Sequence, residues 1–176
     1  MLTNLGRAIL LSAIFFVLLG LAYPLAETAI GQGLFARQAN GSLPSHGSVL
    51  AGQSWAGARW FHGRPDADNP MATGGTNLGP RSTVLVKAVR QQIALLQKAG
   101  ITPTPDLVTT SGSGVAPDIS PADAYAQVNA VAKARALPVA AVRQLVTVHI
   151  KQPQLGFLGS SYLNVLQLNE ALAALR

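Results

Sequence analysis

The sequence predicts an α+β protein built from one N-terminal transmembrane helix and a single mixed helix and strand domain. An uncharged apolar run from Ala8 to Ala26 is long enough to cross the hydrocarbon layer of a bilayer. Several later segments place apolar residues at helical spacing, and short apolar stretches beside turn residues lie between them. We therefore divide the 176 residues into a membrane anchor, 1–34, and a soluble domain, 35–176.

Composition excludes several classes of chemistry. The chain has no cysteine, so disulfides, thiolate zinc sites and cysteine nucleophiles are ruled out. Its formal charge of +6 comes from Arg and Lys spread along the chain, with no basic run and few aromatic residues near the cations. Nucleic-acid binding needs a clustered basic surface, so we expect no nucleic-acid partner.

The flanks of the apolar run predict its role and its orientation. Tyr23 and Pro24 lie where the chain should leave the membrane, because tyrosine suits the interface and a helix break costs little there. Arg7 precedes the span, which favours a cytoplasmic N-terminus and an exported domain. The alternative is a cleaved signal peptide with an apolar region 8–19 and a cleavage site at 20–22. The protein would then be an exported hydrolase or ligand-binding protein.

The first part of the domain carries turn signals and aromatic residues. The Asn40-Gly41 pair predicts a tight turn that joins two short strands. Trp55, Trp60 and Phe61 are expected to pack in the core. Residues 66–82 are rich in Asp, Asn, Gly and Pro, which predicts a long loop, and long ordered loops are often functional.

The second part predicts four helices and one more strand. A helix from Leu85 to Leu96 should end before Gly100. Residues 107–110 predict a strand that leads into the Ser111–Gly114 loop. A third element is a helix that begins at the Ser120 cap, with Asp123 three residues later, and ends near Ala136. Pro138 should open another helix, whose one face carries Val139, Val142, Leu145, Val146 and His149. A terminal helix should begin at the Asn164 cap.

Two glycine-rich loops are the candidate anion-binding or interface sites. The loop from Gly74 to Gly79 has the outer glycines of a phosphate loop, but Pro80 stands where that motif needs lysine. The loop from Ser111 to Gly114 could present backbone amides to an anion or form an interface instead. The candidate binding residues are Gly74, Gly75, Asn77, Gly79, Arg81, Ser111, Gly112, Ser113 and Gly114.

No catalytic or metal-binding set is visible. His46, His62 and His149 are far apart and have no partner at metal-ligand spacing. Residues 66–69 begin like a calcium loop, but Met71 occupies the position of its glycine. No Gly-x-Ser-x-Gly nucleophile motif occurs. We expect no catalytic residue, no metal site and no self-sufficient enzyme.

Several blocks of sequence, taken in order, resemble the C subunit of the Kdp potassium-transporting P-type ATPase over nearly the whole chain. These are Tyr23-Pro24-Leu25, residues 38–43, Gly63-Arg64-Pro65, Asn77-Leu78-Gly79-Pro80, Ser111-Gly112-Ser113-Gly114, Ile119-Ser120-Pro121, residues 155–159 and residues 164–169. The chain departs from the family at Thr76, Ala116 and Asp118. The last two differences weaken any role for a charged pair beside the Ser-Gly loop.

The resemblance implies a non-catalytic accessory subunit of an ATP-driven, high-affinity potassium uptake complex in the bacterial inner membrane. Its partners would be a potassium-conducting membrane subunit and a P-type ATPase subunit. The family is also described as a catalytic chaperone that raises the ATP affinity of the ATPase subunit. The chain would have no cofactor of its own and would meet ATP only through the complex. An exported domain cannot touch cytoplasmic ATP. Direct contact with ATP and an exported domain therefore exclude each other.

Overall fold

A computed structural model describes residues 2–43, 47–66, 69 and 71–175. The described residues form two compact units that divide between Leu43 and Pro44. The N-terminal unit is helical, and the C-terminal unit mixes helices with two short strands. This is the α+β class predicted from the sequence.

Most of the N-terminal unit is one long apolar helix. Helix α1 (Leu2–Val17) continues through a single π-helical turn (Leu18–Ala22) into α2 (Tyr23–Leu34). Thr3–Leu34 is long and apolar enough to cross a membrane, with a mean hydropathy of 2.4 in its most apolar window. The helix continues past Pro24, where we expected the break. The wider turn just before the proline accommodates its ring and its missing N–H donor.

The Asn40-Gly41 turn is present, but the described residues on either side of it form no strand. Residues Ala36–Ala39 form a short helix, α3, and Gly41 follows with a φ of +79°. The Asn40 side chain pairs with the Gln32 amide at 3.0 Å and donates to the Ala36 carbonyl at 2.6 Å. The pair therefore ends a helix instead of joining strands, because Ala, Arg and Gln before it favour the helical state.

The C-terminal unit carries the remaining elements. In chain order these are α4 (Thr83–Lys98), α5 (Pro105–Val108), β1 (Asp118–Ile119), α6 (Pro121–Arg135), α7 (Val139–His149), β2 (Leu163–Asn164) and α8 (Val165–Ala174). Strands β1 and β2 are antiparallel, with Asp118 opposite Asn164 and Ile119 opposite Leu163. The described residues of 66–82 form no helix or strand, as predicted for the long loop.

The main core lies among α6, α7, α8 and the two strands. Its buried side chains include Phe61, Ile119, Val128, Val131, Val142, Val146, Leu163, Leu168 and Leu172. Trp55 and Trp60 pack against this cluster, so the three aromatic residues contribute to the core as predicted. A second, smaller cluster joins Leu96, Ile101 and Leu107.

Residues 107–110 do not form the predicted strand. Pro105–Val108 is the short helix α5, with proline in its first turn, and the Thr109 hydroxyl donates to the Pro105 carbonyl at 2.7 Å. The β-branched residues alone favour a strand. Burial of Leu107 against Leu96 and Ile101 decides the local conformation instead.

The other helix boundaries follow their caps. The Ser120 hydroxyl accepts from the Asp123 N–H at 3.2 Å, and Asp123 accepts from the Ser120 N–H at 2.9 Å, which completes a capping box. The Asn164 side chain accepts from the Gln167 N–H at 3.2 Å and starts α8. Three further predictions are confirmed. A helix covers Leu85 to Leu96 and ends before Gly100, α6 ends near Ala136, and a helix follows Pro138.

Two buried amides hold the segment at Phe61 and His62 to the helices. Asn169 accepts from the Phe61 N–H and donates to its carbonyl, both at 2.9 Å. Gln127 does the same for His62, at 2.8 and 3.0 Å. The side chains replace a neighbouring strand and satisfy backbone groups that burial would otherwise leave unpaired.

Candidate functional site

The two predicted glycine-rich loops meet in space. The Gly74 N–H donates to the Ser113 carbonyl at 2.7 Å. A Cβ at Gly114 would lie 2.7 Å from the Gly74 carbonyl oxygen, and one at Gly75 would lie 3.0 Å from that of Gly112. Gly114 also has a φ of +70°, which disfavours any other residue. These glycines are therefore needed for close approach of the two loops, which we call the double loop (74–75 with 111–114).

A carboxylate of the chain itself, that of Asp66, binds the start of the Ser-Gly loop and a residue just after it. Asp66 accepts from the Ser111 N–H at 2.7 Å, from the Ser111 hydroxyl at 2.5 Å and from the Ala116 N–H at 3.0 Å. The Ser111 hydroxyl also accepts from the Gly114 N–H at 2.9 Å. Backbone amides that converge in this way are the usual receptor for a phosphate oxygen. Here they bind an internal anion.

Arg64 fixes the chain that enters the Ser-Gly loop. Its guanidinium donates to Asp106 at 2.9 Å, to the Thr109 hydroxyl at 3.0 Å, and to the carbonyls of Thr109 and Thr110 at 3.2 and 3.3 Å. Such a planar fork is suited to several acceptors at once. Arg64 and Asp66 therefore connect the segment after Phe61 to both ends of residues 106–111.

The other predicted site residues lie away from this cluster. The Gly79 carbonyl accepts from the Ser82 N–H at 2.9 Å in the turn before α4. Asn77 has a φ of +54° and an exposed side chain. Arg81 is exposed and, with Lys87 and Arg90, lines a shallow groove of about 490 Å³ along α4. Of the nine candidate residues, six form the double loop, Arg81 lines a separate basic groove, and Asn77 and Gly79 lie in the chain between them.

His62, His149 and Asp118 are engaged in hydrogen bonds within the domain. The His62 ring bonds to the Gly57 carbonyl at 3.1 Å, and the His149 ring to that of Leu145 at 2.8 Å. Among the residues that the structure describes, no three His, Asp or Glu side chains are close enough to hold a metal ion. His46 and Asp68 lie outside the described residues. Burial raises the pKa of the half-buried Asp118 carboxyl, against the lowering effects of the Asn164 hydrogen bond and Lys151.

A cleft of about 440 Å³ lies beside α4. Its walls are mostly apolar, and its polar residues bond within the domain: Arg64 to Asp106, Gln127 to His62 and His62 to Gly57. A smaller cavity of about 240 Å³ lies between α4 and residues 108–110, with Thr76 and Leu78 in its wall. Helix α4 therefore covers imperfectly filled space.

The structure brings the two predicted loops together, and their role as binding sites stays a prediction. The two residues that organise them, Arg64 and Asp66, are not among the candidates that the sequence indicates. No local signal in the sequence links them to the loop, because Arg64 lies 42 positions before Asp106 and Asp66 lies 45 positions before Ser111. In chemical terms, the arrangement joins distant segments tightly and presents its own negative charge where a phosphate would bind.

Comparison with known proteins assigns the family. The family model described as "KdpC: K+-transporting ATPase, c chain" matches residues 5–174. The potassium-transporting ATPase KdpC subunit of Caulobacter vibrioides strain NA1000 is 44% identical, over 99% of this chain and 94% of its own length. Those of Acidobacterium capsulatum and Sorangium cellulosum are 45% identical, over 94% and 100% of this chain and 95% and 100% of their own. The chain therefore belongs to the KdpC family of potassium-transporting ATPase subunits and has an accessory role in potassium uptake.

Proposed function

We propose that the chain is a non-catalytic subunit that stabilises assembly of the potassium uptake complex. Its apolar helix would lie in the bacterial inner membrane, and its domain would rest on the potassium-conducting subunit outside the cytoplasm. The partners would be a potassium-conducting membrane subunit and a P-type ATPase subunit that hydrolyses ATP. The relatives are named as subunits of a potassium-transporting ATPase, which supports the assembly role.

The Asp66 carboxylate is the observation that carries this proposal. It accepts hydrogen bonds from the Ser111 N–H and hydroxyl, at the start of the Ser-Gly loop, and from the Ala116 N–H just after it. A nucleotide phosphate placed there would have to displace a bonded carboxylate or lie against a like charge, and both are unfavourable. This supports a structural role for the double loop over direct nucleotide binding.

Deletion of the chain tests the assembly role. The other subunits would be expressed in cells with and without this chain. They would then be purified from the membranes through a tag on the ATPase subunit. We expect loss of the potassium-conducting subunit from the purified material, and loss of growth at limiting potassium. Normal recovery and normal growth without the chain would contradict the proposal.

A single cysteine tests the topology. The chain has no cysteine of its own, so Thr76→Cys in the exposed loop gives a unique label. We expect a membrane-impermeant thiol reagent to label this variant in intact cells, as Arg7 before the span favours an exported domain. Protection until the membrane is broken would place the domain in the cytoplasm and favour contact with ATP.

A second candidate function is the catalytic chaperone, which would raise the ATP affinity of the ATPase subunit. The groove beside Arg81, Lys87 and Arg90 favours it, because three exposed cations suit a polyphosphate. Arg81→Gln in the assembled complex should then raise the KM for ATP, while Arg59→Gln, at another exposed arginine, should leave it unchanged. An unchanged KM in both variants would contradict the chaperone role, and only the assembly role would remain.

A further inference from the structure

An exposed apolar cluster lies on the loop between α7 and β2. Leu155 is 83% exposed, Phe157 73% and Leu158 50%, all within four consecutive positions. We call these three side chains the apolar tip. A single exposed apolar residue is ordinary, but a contiguous cluster with an aromatic member is typical of an interaction surface.

The loop that carries the apolar tip is braced. Lys151 and Tyr162 exchange backbone hydrogen bonds of 2.8 and 3.0 Å, and Gln154 and Leu158 exchange bonds of 3.0 and 2.9 Å. The Ser161 hydroxyl donates to the Gln152 side chain at 3.1 Å. These bonds fix the tip before any partner arrives, which lowers the entropy lost on binding.

The conformation of Leu155 gives a second, independent observation. Its φ is +54°, a region that leucine rarely occupies. Its side chain is mostly exposed and so adds little packing within the domain. Neither the backbone nor the core of this domain gains from leucine at this position, which points to a contact outside the domain.

Charge distinguishes a protein partner from a lipid surface. Residues 152–161 contain no charged side chain. The nearest cation, Lys151, lies over the Tyr162 ring, with its ammonium 5.7 Å from the ring centre. Binding to anionic lipid is strengthened by basic residues around the apolar insert, whereas interface cores on proteins are aromatic and poor in charge.

We propose that the apolar tip docks into an apolar depression on the potassium-conducting membrane subunit of the complex. This inference rests on the proposed assembly function and assigns a surface to it. Phe157 is the anchor, because aromatic side chains dominate binding at such contacts, and Leu155 and Leu158 flank it.

The first test measures assembly of the full chain with its partner subunits. Phe157→Ala should weaken association by about tenfold or more, seen as loss of this chain from the purified complex. Met71→Ala removes a side chain that is 91% exposed elsewhere in the domain and should leave recovery unchanged. Equal recovery of both variants and the native chain would overturn the inference.

Leu155→Gly separates docking from folding. Glycine accepts the positive φ without strain, so the thermal midpoint of the variant should stay equal or rise. Its recovery in the complex should nevertheless fall. A fall in both quantities would mean that the loop supports the fold, and would overturn the inference.

Photo-crosslinking identifies the occupant. With a benzophenone amino acid in place of Phe157 in the full complex, a covalent product with the potassium-conducting subunit supports the inference, and a product with the ATPase subunit would contradict it. A product with lipid, a product with a second copy of this chain, or no product beyond the level at position 71 would overturn it. If deletion of the whole chain leaves the complex intact, the assembly function fails; if deletion disrupts the complex but the tip variants do not, only this inference fails.

Discussion

Helices α4 and α6 are nearly equal in length and both begin at a serine cap, yet they are held very differently. Helix α6 buries six of its side chains: Asp123, Ala124, Gln127, Val128, Val131 and Ala132. Helix α4 buries only Leu96. The difference teaches that a good amphipathic pattern predicts a helix but not how firmly the helix is packed. Attachment depends on what fills the space beneath it.

The largest expected effect compares a core leucine with one on α4. Leu168→Ala in α8 removes a fully buried side chain and should cost about 2–5 kcal/mol, the usual range for such cavities. Leu95→Ala on α4, where the side chain is 62% exposed, should change stability by less than about 0.5 kcal/mol. Chemical denaturation of the full chain in detergent measures both. Similar losses would mean that α4 is packed as firmly as the core.

A second pair adds volume on a single helix. Ala124 of α6 is fully buried, and Ala124→Leu should cost about 1–3 kcal/mol through overpacking. Ala130 of the same helix lines the cleft beside α4, so Ala130→Leu should be neutral or slightly stabilising. Thermal unfolding of the two variants makes the comparison. A clear loss for Ala130→Leu would indicate that the cleft closes in solution.

The fold could be predicted from sequence where local signals decide it. Ser120, Pro121 and Asp123 fix the start of α6 because the cap forms within a few residues. Residues 107–110 could not be assigned, since burial of Leu107 by distant residues overrides their strand propensity. Likewise the strands at Asp118–Ile119 and Leu163–Asn164 are too short to show any alternation.

The candidate site divides in the same way. The glycines of the double loop are recognisable in the sequence because glycine-rich stretches mark turns and loops. The pairing of Asp66 with Ser111 joins residues 45 positions apart and leaves no local pattern. The apolar tip was included in the family resemblance, but its exposure is evident only from the folded chain.

A smaller effect compares the two serine caps. Ser120→Ala removes a reciprocal capping box and should cost about 1 kcal/mol or somewhat more. Ser82→Ala removes a single bond of 3.4 Å at the start of α4 and should cost about 0.5 kcal/mol, the low end of the range for such caps. Denaturation midpoints at constant m-value report the difference. A larger loss at Ser82 would reverse the ranking of the two helices.

The smallest effect concerns pH and Asp118. Burial raises the pKa of its carboxyl in the folded domain above the ordinary 3.8, so the folded state binds this proton more tightly than the unfolded chain. The resulting stabilisation is present below the unfolded pKa and is lost as pH rises through the folded one. Asp118→Asn keeps an acceptor for Asn164, and should therefore be more stable than the native chain at neutral pH. The advantage should shrink as the solution is acidified; a constant difference would contradict this.

The Asp66 carboxylate also has a consequence for the order in which the domain forms. Its bonds close chain segments of 45 and 50 residues, so they have a large loop-closure cost and little local help. They should form late, after packing around Phe61 and Val115 has brought both ends together. The double loop would then be the last part of the domain to gain protection from a protease, and the first to lose it on unfolding.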